Sequence, residues 1–341
     1  MATNIAIDIG TSKTRVATKS DGIIIDEPSV ITYDTYTDSI IAVGELAYKT
    51  IGKTPARVKT AFPVEDGAVT ASNLVESMVR IFIGRVGKKK VSMPKVITAV
   101  PGGITEVEKR AIVNAISSYG VRTVYLIESA KAAALGAGLD ILEGKGQLVA
   151  DLGGGTADIA VISLGGVSAG ISIKKAGKEM DNNIIKYMKN KYHLSIGQQT
   201  AELCKKTIGA VKMIGSDDTF VMKGREITKG LPKAVEVTKS ELLPIYQKTM
   251  LEIIRGIVDV LENTPPELNG DILQNGILLT GGLAQIEGAK ELISDYIRNL
   301  KITIADDPEH CVIKGILASS EYIKKVDKKT GHEINPLLAA Y

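Results

Sequence analysis

The sequence lacks the features of several common protein classes. Its 341 residues include only two cysteines, Cys204 and Cys311, which are far apart and not in CxxC spacing. This excludes a disulfide scaffold and a cysteine zinc site, and it favours a reducing compartment. No apolar run approaches the roughly 20 residues that a membrane-spanning helix needs. The N-terminal "MATNIAIDIG" has no basic segment before a long apolar stretch, so we expect a cytoplasmic protein without a signal peptide.

Low-complexity tracts and a strong charge bias are also absent. The net charge of +3 is too small to indicate nucleic-acid binding, and no nucleic-acid partner is expected. The composition, 44% hydrophobic and 24% charged, is ordinary for a globular protein. Because the length exceeds the size at which a single core keeps growing, two domains are predicted.

An internal duplication is the first positive feature. "NIAIDIGTSKTRVATKSDGIIID" and "QLVADLGGGTADIAVISLGGVSAG" share one plan. Each has an apolar strand ending in Asp, a glycine-rich turn, an alternating strand, a second turn and a third strand. The pair predicts two similar α/β domains that face each other.

Apolar spacing predicts helices over residues 70–84, 105–119 and 239–262, with Thr105 and Glu108 as a capping box and Thr238 as an N-cap. "YLIESAKAAALGAG" predicts a strand end, a short turn and an Ala-rich helix. Residues 33–67 and 181–237 are less regular and are predicted to be inserted subdomains. The mixed-charge tail from Ile323 onwards is expected to fray.

Two glycine-rich turns, "DIGTSKT" (residues 8–14) and "DLGGGTAD" (residues 151–158), carry the chemistry. Glycine lets backbone N–H groups converge on an anion without interference from Cβ atoms. Asp8 and Asp151 end the preceding strands, where carboxylates suit Mg²⁺ held through water. Two such turns with matched Asp residues predict a nucleoside triphosphate–Mg²⁺ site. The predicted phosphate ligands are Gly10, Thr11, Ser12, Lys13, Gly153, Gly154, Gly155 and Thr156.

Two further segments can be interpreted either as part of a binding site or as ordinary structural features. Gly281 and Gly282 lie between a predicted strand and helix, where a ribose or a flat ring could approach the backbone, or where the turn is only a tight connection. Glu202 and Lys205 share a face of a polar helix at i, i+3, which in isolation is typical of a solvated salt bridge.

Ten segments, in order along the chain, resemble the bacterial actin MreB, the rod-shape-determining family. They extend from about residue 4 to about residue 325, and "TPPEL" and the "VPGGITEVEKRA" block are specific to that family within the actin, Hsp70 and sugar-kinase superfamily. The segments are "AIDIGTSKT", "EPSV", "GKTP", "VPGGITEVEKRAI", "LIESAKAAALGAG", "DLGGGTADIAVISLGG", "TAELCKKTIG", "TPPELNGDI", "LTGGLAQIEG" and "DDPEHCVIKG".

The resemblance implies an α/β actin-like fold, with two duplicated domains and four subdomains around a nucleotide cleft. It implies ATP or ADP with Mg²⁺ in that cleft, and self-assembly into antiparallel double protofilaments for cell shape or motility, with paralogous filament proteins as possible partners. It also implies that the two turns hold phosphates, that Glu202 and Lys205 contact the adenosine, and that Gly281 and Gly282 line the pocket.

The implied subdomain limits are 1–32 (IA, first part), 33–67 (IB), 68–146 (IA, second part), 147–180 (IIA, first part), 181–238 (IIB), 239–310 (IIA, second part) and 311–341 (a return to IA and the C-terminal tail).

The chain departs from the family at the acid that positions the attacking water. Relatives have Glu-Glu-Pro or Asn-Glu-Pro there, and this chain has Glu128, Ser129 and Ala130. Serine is a poor proton acceptor, and loss of a positioned base costs about 10²–10⁴-fold in rate. We therefore expect a weak ATPase, in which Mg²⁺ and Thr156 support slow hydrolysis. Glu128 is the alternative group for the same role.

Other departures affect nucleotide binding and membrane contact. Lys13 replaces the usual Asn and is expected either to grip phosphate or to face solvent. Leu283 replaces a Gly and is expected to narrow the nucleotide pocket. The N-terminal amphipathic helix of many relatives is expected to be missing. The basic stretch at residues 84–95 either touches anionic lipid, at about 1 kcal/mol per lysine, or is a solvated loop.

Two other functions of the superfamily are the alternatives to a filament protein. A small-molecule kinase needs a carboxylate base near an acceptor pocket, and no motif for one is evident. A chaperone ATPase needs a C-terminal substrate domain, for which the sequence given has no room. A nucleotide-dependent filament protein is the main prediction.

Overall fold

A computed structural model describes residues 4–86, 94–121, 123–329 and 338–341, with the backbone alone for 323–329 and 340. In these ranges, no helix is both long enough and apolar enough to cross a bilayer. The basic stretch predicted as a lipid contact falls largely at residues 87–93, outside the described residues.

The elements of the first half are β1 (Asn4–Ile9), β2 (Lys13–Thr18), β3 (Gly22–Pro28), β4 (Ile31–Asp34), β5 (Ile40–Val43), α1 (Glu45–Tyr48), β6 (Val58–Ala61), β7 (Val64–Glu65), β8 (Ala68–Val69), α2 (Ser72–Val86), β9 (Lys95–Val100), α3 (Glu106–Ser117), β10 (Thr123–Glu128) and α4 (Ser129–Gly136).

The elements of the second half are β11 (Gln147–Leu152), β12 (Ala157–Ser163), β13 (Gly166–Ile173), α5 (Gly177–Tyr192), β14 (Leu194–Ser195), α6 (Gln198–Ile208), β15 (Thr219–Glu226), β16 (Pro232–Thr238), α7 (Lys239–Glu262), α8 (Pro266–Asn275), β17 (Ile277–Thr280), a 3₁₀ turn (Gly282–Gln285), α9 (Ala289–Tyr296), β18 (Ile302–Ile304), a second 3₁₀ turn (Pro308–His310), α10 (Cys311–Lys329) and β19 (Ala339–Ala340).

The duplication predicted from the sequence is confirmed in the two large sheets. The first sheet has the order β19-β10-β9-β1-β2-β3 and the second the order β13-β12-β11-β17-β18. In each, three consecutive strands form an antiparallel meander, and the first of them pairs with a parallel strand from later in the chain. The carboxyl ends of β1 and β11 therefore carry equivalent glycine turns.

Small sheets lie within the predicted insertions. β4, β5 and β6 form one, and β14, β15 and β16 form another. The second insertion is more regular than the sequence suggested, because α5, α6 and the β15–β16 hairpin account for most of it. The numerical limits of the four subdomains stay a prediction.

Local signals placed several helices correctly. Thr105 caps α3, and its hydroxyl accepts from the Glu108 N–H while the Glu108 carboxylate accepts from the Thr105 N–H. Thr238 caps α7 by accepting from the Glu241 N–H. Two details differ from expectation: α4 follows β10 without a turn between them, and the tail is ordered where it is described, as α10 up to Lys329 and as β19 on β10. Residues 330–337 of the tail that was expected to fray lie outside the described residues.

A close helix crossing joins the two domains. One hydrophobic cluster combines inward residues of both large sheets with α4 and α10. A Cβ at Gly136 of α4 would overlap the Cys311 carbonyl, and a Cβ at Gly315 of α10 would overlap the Ala132 carbonyl. The two backbones are therefore in direct contact, which only glycine permits.

Alanine at this crossing is expected to destabilise the fold. Gly136→Ala or Gly315→Ala should lower the free energy of unfolding by at least about 1–3 kcal/mol, because the added methyl overlaps backbone rather than a flexible side chain. Urea unfolding followed by circular dichroism measures the change.

Gly84→Ala is the matched control, because Gly84 lies in α2 and a Cβ there would meet no atom within 4 Å. It should be stabilising by about 0.5–1 kcal/mol. Equal stability of Gly136→Ala and Gly84→Ala would contradict the crossing geometry.

Candidate nucleotide site

The first glycine turn connects β1 to β2 and is braced by Ser29. The Gly10 N–H donates to the Lys13 carbonyl at 3.0 Å, and a Cβ at Gly10 would lie 2.8 Å from that oxygen. The Ser29 hydroxyl donates to the Gly10 carbonyl at 2.6 Å and lies 2.8 Å from the Thr14 hydroxyl. The "EPSV" segment therefore fixes the turn from the end of β3.

The second glycine turn connects β11 to β12 and is tied to α5. The Gly153 N–H donates to the Thr156 carbonyl at 2.9 Å. The N–H groups of Gly177 and Lys178, at the start of α5, donate to the carbonyls of Gly153 and Gly154 at 3.3 and 2.7 Å. This turn therefore has the same closing bond as the first, as the duplication requires.

The two turns face each other across the cleft and touch. A Cβ at Gly154 would overlap the Ser12 side chain, and one at Gly155 would overlap Thr11. The Thr11 hydroxyl also accepts from the Gly67 N–H at 3.1 Å. The two turns, one from each domain, thus meet at one small volume, and glycine-rich turns are the structures whose backbone N–H groups commonly bind phosphate.

Two strand-end carboxylates lie beside the turns. Asp8 is 3.4 Å from the Arg15 guanidinium, and Asp151 accepts from the Thr280 hydroxyl at 3.0 Å. Burial raises the pKa of Asp8 even though Arg15 opposes it. Burial, together with the nearby charges of Asp158 and Asp8, raises the pKa of Asp151 to about 7.

These two carboxylates suit an Mg²⁺ ion that is bound partly by water and phosphate, rather than one bound entirely by protein ligands. The described ranges contain no cluster of three or more acidic, His or Cys side chains that could hold a metal by themselves. Mg²⁺ commonly binds one or two carboxylates together with water and substrate phosphates. A divalent ion between Asp8 and Asp151 would favour the charged forms that burial disfavours.

Asp158 is a site residue that sequence reasoning missed. It is 2% exposed and accepts from the Gly102 N–H at 3.0 Å and from the Thr156 hydroxyl at 2.9 Å. It therefore connects the second turn to the loop after β9, in the other domain. Both segments that it connects, "DLGGGTAD" and "VPGG", are recognisable in the sequence, but nothing in the sequence indicates that they are in contact.

A cavity of about 310 Å³ lies beside Asp158, the residue that accepts from the Thr156 hydroxyl, and only one of the two candidate catalytic residues lines it. Glu128, Asp66 and Asp158 line the cavity, whereas Ser129 does not. The Glu128 carboxylate lies 3.2 Å from the Lys131 ammonium. Ser129 is half-buried at the start of α4, and its hydroxyl makes no hydrogen bond within the described part of the chain.

The predicted adenosine residues lie on α6 but do not pair with each other. The Glu202 carboxylate accepts from the Tyr48 hydroxyl at 2.8 Å and lies 2.6 Å from Lys206. The Lys205 ammonium lies 2.8 Å from the carboxylate of Asp181, which is 4% exposed. Each predicted contact residue is thus held by a partner of its own.

Tyr48 links α1 to α6 by two hydrogen bonds and was not predicted from the sequence. It ends α1, in the first half of the chain, and contacts α6 of the second half twice. Besides its hydroxyl bond to Glu202, its carbonyl accepts from the Gln199 amide at 2.5 Å. No local motif indicates a contact between residues more than 150 positions apart.

The third glycine turn follows β17. The Gly281 N–H donates to the Pro308 carbonyl at 2.9 Å, and its φ of 82° requires glycine. A Cβ at Gly282 would lie 3.6 Å from the Glu309 side chain. Leu283 is 6% exposed and belongs to the core of the second domain, which does not support the expectation that it narrows the pocket.

Lys13 occupies neither of the environments expected for it. Its ammonium lies 3.2 Å from the Asp26 carboxylate and 3.6 Å from that of Glu309, so it is ion-paired. The neighbouring Arg15 is 9% exposed and contacts the same two carboxylates at 3.1 and 3.6 Å. The phosphate role of Lys13, like the other assigned roles toward a nucleotide, stays a prediction.

Two domains of this construction, each an antiparallel meander continued by parallel strands, with facing glycine turns at the cleft, define the actin-like class of nucleotide-binding folds. The family model for the MreB/Mbl protein matches residues 2–328. The chain belongs to the MreB/Mbl family.

Individual relatives agree with this assignment. The cell shape-determining protein Mbl of Bacillus cereus is 37% identical over 329 residues, covering 96% of this chain and 98% of Mbl. The cell shape-determining protein MreB of Escherichia coli K12 is 35% identical over 318 residues, covering 92% and 91%.

Solved structures confirm the actin-like fold. MreB 5 of Spiroplasma citri bound to AMPPNP is 35% identical and superposes with a TM-score of 0.91, covering 96% of this chain and 98% of that one. The MamK double helical filament, at 19% identity and a TM-score of 0.79 over 93% and 99% of the two chains, shares the fold.

The Asp181–Lys205 pair predicts a pH dependence of stability. Burial raises the pKa of Asp181 to about 6 in the folded chain, despite Lys205. The unfolded chain loses this proton near the ordinary value of 3.8. The stability that the protonated carboxyl contributes is therefore complete below pH 4 and is lost as the pH rises to about 6.

Asp181→Asn should remove this slope. The free energy of unfolding is measured in urea at pH 4.5, 5.5 and 7 for both chains. The value for the wild-type chain minus that for Asp181→Asn should fall as the pH rises. A difference that stays constant across this window would show that Asp181 titrates normally.

Proposed function

We propose that this chain is an actin-like cytoskeletal protein that binds ATP with Mg²⁺ in its cleft and assembles with itself into filaments for cell shape or motility. The observation that carries the proposal is the pair of facing glycine turns, from separate domains, whose contact only glycine permits. The names of its relatives, which are cell shape-determining proteins, and the AMPPNP-bound MreB 5 of Spiroplasma citri support it.

In this proposal the turns hold phosphates and the strand-end acids hold Mg²⁺. Thr11, Ser12, Lys13 and Thr156 add side-chain donors to the backbone of Gly10 and of residues 153–155. Asp8 and Asp151 bind the ion through water molecules, because Mg²⁺ gives up its hydration shell reluctantly. When bound, Mg²⁺ neutralises charge on the phosphates. Glu202 and Lys205 contact the adenosine, and Gly281 and Gly282 border it.

Hydrolysis is proposed to be slow. Ser129 stands where the family has the acid that positions water, and its hydroxyl is a poor proton acceptor. Glu128 lines the cavity, but its carboxylate is already engaged by the Lys131 ammonium at 3.2 Å. Some turnover remains because positioning and electrostatics carry most of phosphoryl transfer.

The assembly is proposed to be an antiparallel double protofilament in the cytoplasm, associated with the membrane through residues 84–95. Nucleotide in the cleft would bias the angle between the two domains, and the contacts between subunits would respond to that angle. Paralogous filament proteins are proposed as further partners.

Restoring the acid is the direct test of the hydrolysis proposal. Phosphate release with ATP and Mg²⁺, measured beside pelleting of polymer, should be slow for the wild-type chain. Ser129→Glu should raise turnover by tenfold or more while polymer still forms. Ser129→Gln is the matched control, because glutamine is similar in size to glutamate but cannot accept the proton. It should leave the rate low.

Two results would argue against this account. Ordinary phosphate release by the wild-type chain, abolished in Glu128→Gln, would assign the water-positioning role to Glu128. No polymer in the presence of ATP would argue against the filament function itself.

The Tyr48–Glu202 bond should slow nucleotide exchange. Tyr48→Phe removes a hydrogen bond to a charged group, worth about 1.5 kcal/mol, so a fluorescent ATP analogue should dissociate about tenfold faster. Tyr36→Phe is the control, because Tyr36 is 82% exposed, lies between β4 and β5, and makes no hydrogen bond to α6 in the described part of the chain. Equal dissociation rates for the two variants would exclude a gating role for Tyr48.

A further inference from the structure

We propose that Asp158 is a positioning residue for ATP hydrolysis, which holds the Thr156 hydroxyl toward the attacking water only while the two domains are closed. The inference rests on the proposed function, because it concerns the hydrolysis of the nucleotide proposed for the cleft. It gives the chain a carboxylate for this reaction although Ser129 is not one. Asp158 acts on the water through Thr156 rather than by direct contact.

The two oxygens of the Asp158 carboxylate bind groups of different domains. Oδ2 accepts from the hydroxyl of Thr156, in the second glycine turn, at 2.9 Å. Oδ1 accepts from the N–H of Gly102, in the loop after β9 of the first domain, at 3.0 Å. Because Asp158 is 2% exposed, little water competes for either bond. The carboxylate therefore joins the phosphate turn of one domain to a backbone loop of the other.

The sheet of the second domain fixes the backbone of Asp158. Asp158 is the second residue of β12, where it is paired with Asp151 of β11 on one side and with Ser172 of β13 on the other. A strand with neighbours on both sides places a side chain more accurately than a loop does. The carboxylate is thus held at a set distance from the glycine turn.

Thr156 is also held by its methyl group. A Cβ at Gly67, in the first domain, would lie 2.7 Å from the Thr156 Cγ2 atom, so the methyl rests against the Gly67 backbone. The methyl and the hydroxyl turn together about χ1, so both contacts select the same rotamer. Both depend on the first domain, directly through Gly67 and indirectly through Asp158 and Gly102.

The direction of the Thr156–Asp158 bond suits a water molecule as the next partner. A threonine hydroxyl has one proton and two acceptor lone pairs. While the proton is donated to Asp158, the lone pairs of the Thr156 oxygen can accept from a water molecule. Among the described residues, Asp158 is the one carboxylate that the Thr156 hydroxyl contacts.

The proposed step transfers one proton along this pair. The water oxygen forms a bond to the γ-phosphorus, and the bond from that phosphorus to the β,γ-bridging oxygen breaks, with the electron pair left on the bridging oxygen. A water proton passes to the Thr156 oxygen while the Thr156 proton passes to Asp158. The products are ADP, phosphate and one proton, which Asp158 later releases to water.

The surroundings of Asp158 fit this proton transfer. Burial raises the pKa of Asp158, and the nearby charge of Glu128 adds to the effect. A carboxylate with a raised pKa accepts a proton more readily than an exposed one. The cavity of about 310 Å³ that Asp158 lines has room for several water molecules, which can carry the proton away.

The same contacts make hydrolysis depend on domain closure. Opening of the cleft would break the bond between Asp158 and Gly102 and would withdraw Gly67 from the Thr156 methyl. The Thr156 hydroxyl would then rotate among its rotamers, and the water would lose its fixed acceptor. A change in the angle between the domains therefore changes the rate without any change in the groups that bind the nucleotide.

Single-turnover release of phosphate from γ-labelled ATP tests the role, because it resolves slow rates. Asp158→Asn keeps the size of the side chain but cannot take up the proton, so it should lower the rate about tenfold or more. The Kd for MgATP, measured by titration calorimetry, should change less than about twofold. Asp158→Glu restores a carboxylate and should recover at least about a third of the wild-type rate.

Asp140→Asn is the matched control for this substitution. The Asp140 carboxylate also accepts from a backbone N–H at 3.0 Å, that of Leu142, but Asp140 is exposed and does not line the cavity. Asp140→Asn should leave both the rate and the affinity unchanged. Urea unfolding of every variant checks that the fold survives.

A double-mutant cycle separates positioning from a purely structural role. Thr156→Val keeps the shape of the side chain and removes its hydroxyl. If Asp158 acts through that hydroxyl, Asp158→Asn should cause no further loss of rate in a chain that already carries Thr156→Val. A carboxylate that only joined the domains would lower the rate by the same factor in both backgrounds.

Amide hydrogen exchange gives a measurement that needs no turnover. In the nucleotide-free chain labelled with ¹⁵N-glycine, the Gly102 N–H should exchange about tenfold faster in Asp158→Ala than in the wild type, because it loses its buried acceptor. The Gly103 N–H, which has no such bond to Asp158, is the internal reference.

Three results would overturn the inference. The first is a folded Asp158→Asn chain that hydrolyses ATP at the wild-type rate. The second is an equal loss of rate in the wild-type and Thr156→Val backgrounds. The third is a loss of MgATP affinity that accounts for the whole loss of rate. A wild-type chain that bound no MgATP would overturn the proposed function and this inference with it, whereas a wild-type chain that hydrolyses ATP and is insensitive to Asp158→Asn would overturn the inference alone.

Discussion

The crossing of α4 and α10 is the contact on which the rest of the arrangement depends. Because Gly136 and Gly315 have no side chains, the two helices touch backbone to backbone and fill the space between the sheets. α4 begins at Glu128 and Ser129, and α10 begins directly after the segment that receives the third glycine turn. A shift of one helix against the other would therefore move the candidate catalytic residues and the nucleotide turns together.

The electrostatics of the cleft follow from burial in this frame. Arg15 and Lys13, the cations of the first turn, are already balanced by Asp26 and Glu309. Burial raises the pKa of both the Asp8 and the Asp151 carboxyls, and the nearby charge of Asp158 adds to the effect at Asp151. In the proposed site, the attraction for a phosphate would therefore come chiefly from backbone N–H groups, and that for a cation from the two carboxylates. The glycine turns and the two carboxylates together therefore favour the binding of a nucleotide as its metal complex.

The sequence was informative where the signal is local and repeated. Strand alternation, the Asp-x-Gly turns and the caps at Thr105 and Thr238 are properties of a few neighbouring residues, and they predicted the duplicated fold and the position of the cleft. The contacts that the sequence did not predict join distant segments: Tyr48 with Glu202, Asp158 with Gly102, and the chain end with β10. The ion pair of Lys13 with Glu309, almost 300 residues away, is likewise a contact that the sequence did not indicate.

The central claim is that phosphates are held between the two facing turns, and titration calorimetry tests it most directly. The wild-type chain should bind one MgATP, and Gly154→Val should lose most of that affinity because the added side chain fills the space beside Ser12. Urea unfolding of the same variant checks that the fold survives. A folded Gly154→Val chain that bound MgATP as tightly as the wild type would contradict the account.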